Sequence, residues 1–161
     1  MAFQHQEKLN TELKKELDSI YNIDQTFREI LNDNSDKTIR FLKEQGYTLE
    51  EFQKNSWLII IKHDKLNLKR IEKIIDKYGY PSIQLVGKPT NKAVWFVIQH
   101  SDKEIIEKYF PLIERAGKKN DIPMTLVAMM QDRLLMYQEK EQIYGTQGSG
   151  REIINPISKT K

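Results

Sequence analysis

His100 is the residue of this sequence best equipped to move a proton. It stands between an apolar run, Ala93 to Ile98, and the polar stretch Ser101-Asp102-Lys103-Glu104, and it is one of three histidines in 161 residues. Imidazole titrates near neutral pH, and a carboxylate on one ring nitrogen fixes the tautomer that leaves the other to act as acid or base. Asp102 and Asp132 are the carboxylates that could serve, so His100, Asp102 and Asp132 form the candidate catalytic set. Each also has a plain structural explanation. A carboxylate in the first turn of a helix is favoured by the helix dipole whatever its function, and a histidine beside a buried segment is commonly a hydrogen-bonded core residue.

A second group could hold a ligand. Leu9, Leu13, Leu17, Ile20, Phe27 and Leu31 recur at helical steps, and Asp24 falls inside that apolar stripe, with Arg28 at its edge and Gln25 on its flank. A carboxylate facing a core needs a partner, which Arg28 at i, i+4 would supply. Asp132 and Arg133 sit in a segment that is apolar on two sides. Adjacent helical residues point about 100° apart, so each must find its own partner, and Asp24, Arg28 and His100 could complete a polar cluster. Guanidinium forks bind carboxylate or phosphate bidentately, which makes Arg28 and Arg133 candidates for an anionic group. Gln142-Ile143-Tyr144-Gly145-Thr146-Gln147 offers side-chain donors and acceptors in a compact run. The candidate binding set is therefore Asp24, Gln25, Arg28, Arg133, Gln142, Tyr144 and Gln147.

The elements that must position these residues read as mainly helical. Helices are expected over Leu9–Leu31, near 36–45 with a stop at Gly46, from Asp64 as N-cap to Gly79, from Ser101-Asp102 through Ala116, and from Pro123 to Tyr137. Thr48-x-x-Glu51 has capping-box spacing. Trp57-Leu58-Ile59-Ile60-Ile61 is a buried helix end or a strand, and Ser82–Pro89 a loop with a short extended piece. Ala93–Ile98 is apolar on every side and is expected as a helix capped by Asn91, with a strand as the alternative. Two β-prone runs joined by Gly148-Ser149-Gly150 predict a hairpin over about 142–157 that closes over the polar cluster. The expectation is one helical-bundle domain over 1–157 with a small C-terminal β-hairpin and a loose tail over 158–161.

Composition narrows the function. Lys and Arg number 26 against 23 Asp and Glu, without a basic block, which gives no footprint for nucleic acid. The absence of cysteine removes thiol catalysis and cysteine metal sites. No apolar run reaches membrane-spanning length, and Met1 to Gln6 lacks signal-peptide character, so a cytoplasmic location without membrane association is expected. A metal site on His63-Asp64 with His100 and Asp132 fits poorly in order and spacing, and no metal is expected.

Asp24-Gln25-x-x-Arg28, Asp64-x-x-Asn67, Tyr78-Gly79-x-Pro81, Gln99-His100-x-Asp102, Asp132-Arg133 and Gln142-x-Tyr144-Gly145-Thr146-Gln147 follow one another in this order. Together they resemble a bacterial family of uncharacterised domains ending in a Tyr-Gly-Thr-Gln motif, over about residues 17–157. That resemblance implies positions and no activity. The chain has no nucleophile elbow, P-loop or dinucleotide glycine pattern, so no organic cofactor is expected. Two functions stay open. One is a cofactor-independent small-molecule enzyme using His100 on an anionic or amide-bearing substrate. The other is a ligand-binding or protein-interaction module, inhibitor- or immunity-like, whose buried polar network is structural.

Overall fold

The computed structural model describes residues 8–148, and in them every regular element is a helix, with no strand. Helix α1 spans Thr11–Glu29 and is opened by Asn10, whose side chain accepts from the Leu13 N–H at 3.0 Å. It buries Leu13, Leu17, Ile20, Asp24 and Phe27, the stripe that periodicity predicts. Helix α2 spans Asp36–Glu44 under a Ser35 cap. The longest element is α3, Leu49–Tyr78, opened by the Thr48/Glu51 capping box and ended by Gly79 at φ 68°. After α4, Ile83–Val86, a 3₁₀ turn leads into α5, Ala93–Gln99. Helices α6, Lys103–Lys118, and α7, Met124–Tyr137, complete the chain.

Several boundaries differ from expectation, each for a local reason. Trp57–Ile61 is neither a helix end nor a strand but lies inside α3, so Asp64 sits in mid-helix and caps nothing. Asn55, at φ −130°, bends α3 just before that run, which is why the pattern changes there. Ile59 and Ile60 are buried, whereas Trp57 and Leu58 are 61% and 70% exposed. Ser82 caps α4 where an extended piece was expected. Asn91 does not cap α5, because its amide donates to the Asp121 carbonyl instead. Asp102 is the N-cap of α6 itself, accepting from the Ile105 N–H at 3.1 Å. The first arm of the expected hairpin, 142–147, is an irregular loop. The second arm and the tail over 158–161 lie outside the described residues.

Burial falls into two apolar clusters that share α1 and α3. The larger joins the N-terminal half of α1 and the C-terminal half of α3 to α5, α6 and α7, through Leu17, Ile20, Ile71, Ile98, Ile113 and Met130. The smaller joins Phe27, Leu42, Phe52 and Ile60 from α1, α2 and the first half of α3. On α1 Asp24 lies between Ile20 of one cluster and Phe27 of the other. On α3 Asp64 lies between Ile60 and Ile71 in the same way. A polar layer thus separates the two cores. Among the described residues no helix is long and apolar enough to cross a membrane.

Candidate functional site

The polar layer is built by three helices. Asp24 and Arg28 come from α1, Asp64 from α3, and His100 from the C-terminal end of α5. Asp24 is 2% exposed, and desolvating a carboxylate costs several kcal/mol unless it is paired and hydrogen-bonded. Its partners are close. Oδ1 takes His100 Nδ1 at 3.1 Å and Arg28 Nη1 at 3.3 Å, and Oδ2 accepts from Gln25 Nε2 at 2.7 Å. The Arg28 fork is shared: Nη1 also donates to the Asp24 carbonyl at 2.8 Å, and Nη2 donates to Asp64 Oδ2 at 2.7 Å. The i, i+4 geometry of α1 puts Arg28 beside Asp24, and the packing of α1 on α3 brings Asp64 to its other side.

This arrangement fixes the His100 tautomer. A carboxylate on Nδ1 favours the proton there, which leaves Nε2 as the acceptor of the neutral ring. Among the described residues Nε2 has no hydrogen-bond partner. Beside the imidazole an open pocket of about 200 Å³ is lined by Ile61, Asp64, Lys65, Leu68, Ser101 and Asp102. That volume is below the roughly 300–1,000 Å³ of sites for drug-sized ligands, so it suits a small group or one side chain. His63 precedes Asp64 but faces elsewhere. Its Nε2 lies 3.1 Å from the Tyr47 hydroxyl, and its ring stacks on Phe27 at 4.6 Å between centroids. Burial, helped by the charge of Lys62, pushes its pKa below the usual histidine value, against a smaller upward pull from Asp64. Among the described residues no three His, Asp or Glu side chains are grouped to hold a metal ion.

Asp132 belongs to a different assembly. It is fully buried, and its carboxylate receives the N–H groups of Ile143 at 2.8 Å, Tyr144 at 3.0 Å and Thr146 at 2.9 Å, with the Thr146 hydroxyl also at 2.9 Å. Gly145 adopts φ 67°, the left-handed conformation that turns the N–H groups on either side of it toward one acceptor. Burial acts to raise the Asp132 pKa, but the hydrogen bonds from Thr146, Tyr144 and Ile143 together outweigh it and hold the carboxyl below the ordinary aspartate range. Gln142 and Gln147 close the loop. The Gln142 amide donates to the Gln147 carbonyl and accepts from its N–H, both at 2.9 Å, and Gln147 Nε2 reaches the Met129 carbonyl of α7 at 3.1 Å.

Of the residues singled out from sequence, the fold therefore joins Asp24, Gln25, Arg28 and His100 in one network, with Asp102 on the rim of its pocket. Asp132, Gln142 and Gln147 form the second assembly, and none of their hydrogen bonds reaches His100. The orienting carboxylate for His100 is Asp24, not Asp102 or Asp132. Arg133 stacks its guanidinium over Tyr137 at 5.7 Å, and Tyr144 is 55% exposed. The residue that sequence reasoning left out of the site is Asp64. Its eleven-residue separation from Ile75, about three turns along one apolar stripe, signalled a continuous helix, but the His63-Asp64 step looked like a helix start.

Fold and site define an all-helical domain with a buried polar layer and no strand among the described residues. The chain belongs to DUF6624, a family of unknown function, whose model matches residues 12–157. No curated protein and no solved structure matches it.

Proposed function

We propose that the junction of α1, α3 and α5 is a small-molecule acid–base site, with His100 as the group that exchanges a proton or hydrogen bond with the ligand. The observation that carries this reading is the Asp24–His100 pair: a buried carboxylate on Nδ1 at 3.1 Å, with the imidazole beside an open pocket. A purely structural histidine has no need of a pocket. Arg28 holds two carboxylates at once, so it is a positioning residue and not an anion receptor. The pocket wall carries Asp64, already paired with Arg28, together with Asp102 and Lys65, a mixed lining of acceptors and donors that favours a neutral polar group with N–H or O–H donors, such as an amide. Asp132, Gln142 and Gln147 support the scaffold from the other assembly.

The competing reading, a binding module in which the same network is structural, is favoured by the complete satisfaction of the Asp24 carboxylate. The two separate on one experiment. With three histidines in the chain, imidazole NMR signals of His100 and His63 can be assigned by the variants His100→Gln and His63→Gln. Screening a library of primary amides and small hydroxylated amides should shift the His100 signals and leave those of His63 in place. If no fragment moves His100 while Asp24→Asn and His100→Gln change only the melting temperature, the network is scaffolding.

A further inference from the structure

The outer face of α3 is unusual for a solvated helix surface. Trp57, Leu58 and Ile61 are 61%, 70% and 47% exposed, and they lie within about one helical turn, some 6 Å along the axis. Lys54, Lys62 and Lys65 surround them, all exposed, and Lys69 and Lys73 continue the same side. None of these lysines forms an ion pair among the described residues. The acids of this stretch of α3 are already engaged: Asp64 with Arg28, and Glu72 with Lys108 and the Tyr109 hydroxyl. The face is therefore an apolar centre inside a ring of uncompensated positive charge. It also runs into the pocket, because Ile61 and Lys65 belong to both.

We infer that the outer face of α3 and the His100 pocket form one docking surface for an acidic, apolar polypeptide segment of a partner protein. Large apolar side chains of the segment cover Leu58 and Ile61 around Trp57, a residue type that anchors interfaces when a rim excludes water from it. Its carboxylates meet Lys54, Lys62 and Lys65, and one short side chain with N–H or O–H donors enters beside His100. The apolar centre selects against two other polyanions. A duplex nucleic acid presents a charged sugar-phosphate surface with no large apolar side chains to cover Trp57, Leu58 and Ile61. A membrane surface, moreover, needs a long apolar stripe along the helix, whereas here Trp57, Leu58 and Ile61 occupy a single turn and the next exposed apolar residue, Leu66, follows only after Lys62 and Lys65. For the residue that enters the pocket the inference rests on the proposed site, while for the α3 face it stands on exposure and charge alone.

The test uses a displayed library of random 12-residue peptides selected against the full chain. Selected peptides should be enriched in Asp and Glu together with Leu, Ile or Phe. Trp57 reports binding, because the other tryptophan, Trp95, is buried: its emission should shift to shorter wavelength and lose access to acrylamide as peptide is added. Leu58→Ser and Lys54→Glu alter exposed positions and should each lower affinity tenfold or more with the melting temperature unchanged. His100→Gln separates the two readings. A drop in affinity supports both, whereas full affinity retained in His100→Gln with loss in Leu58→Ser keeps the docking surface and sinks the pocket reading. The inference is overturned if selection yields no acidic–apolar bias. It is overturned too if Trp57 is already shielded from acrylamide in the free protein, or if phosphatidylserine vesicles bind with the same variant sensitivity while peptides do not.

Discussion

Asp24 must satisfy a guanidinium, an imidazole and a neighbouring amide with one carboxylate, and no water-facing surface remains to share the work. Removing one partner of a buried pair costs about 3–5 kcal/mol when the other charge is stranded. Here Arg28 keeps Asp64, so Asp24→Asn should cost less, about 2 kcal/mol, read as a lower urea midpoint. His100→Gln removes a single hydrogen bond and should cost about 1 kcal/mol or less. Equal losses for the two variants would show that Asp24 is not the hub of the network. The Asp24–Arg28 relation was legible in the sequence, because i, i+4 spacing on an apolar stripe leaves few other geometries. The third member, Asp64, was not. A carboxylate after an apolar run carries the pattern of a helix cap, and only the uninterrupted backbone of α3 gives it a different role.

At the scale of elements, α6 and α7 approach so closely that Gly117 has no room for a side chain. A Cβ there would lie 2.5 Å from Val127 Cγ2 and 2.8 Å from Met124 Sδ. Met124 is flexible and can withdraw, but Val127 is branched at Cβ, buried and stiff at χ1. Gly117→Ala therefore sets a helix-propensity gain of roughly 1 kcal/mol against overpacking of about 1–3 kcal/mol. Overpacking should win, and the melting temperature should fall; a rise would mean that the helices separate at little cost. Periodicity located α1, α2, α6 and α7 within a few residues because their apolar faces are regular. It failed on 142–147, where β-prone residue types suggested a strand. What organises that run is a set of backbone N–H groups around a side chain ten or more positions earlier, and backbone donors leave no signature in residue type.

For the molecule as a whole, two cores meet across a polar layer, and two of the groups with perturbed titration, His63 and Asp132, respond to acid in different ranges. His63 packs on Phe27 in the smaller core, with its pKa pushed down by burial. The unfolded chain then takes up a proton that the folded chain refuses. Its contribution is full above the ordinary histidine value of about 6.5 and declines as pH falls from there to the lowered folded value. Wild type should lose more melting temperature between about pH 7.5 and about pH 5.5, roughly one unit either side of that value, than His63→Gln does. Parallel curves would remove His63 from the balance. Asp132 responds in the same direction but in a more acidic range. Its folded pKa is held below the ordinary range, so its contribution is complete at neutral pH and disappears only as pH falls below about 4.

The loop around Asp132 has one more consequence, which concerns vacancy. Three backbone N–H groups and a hydroxyl converge on this carboxylate, the same concave donor set that captures free anions elsewhere in proteins. Asp132→Ala would empty the cradle and leave the Gln142–Gln147 pair and the Gln147 bond to the Met129 carbonyl to hold the loop. Formate or acetate should then act as a replacement part, raising the melting temperature of the variant by ordinary binding linkage while leaving the parent, whose own carboxylate occupies the place, unchanged. Chemical rescue of that kind would show that the Tyr-Gly-Thr-Gln segment is shaped to receive an anion that the chain supplies from within.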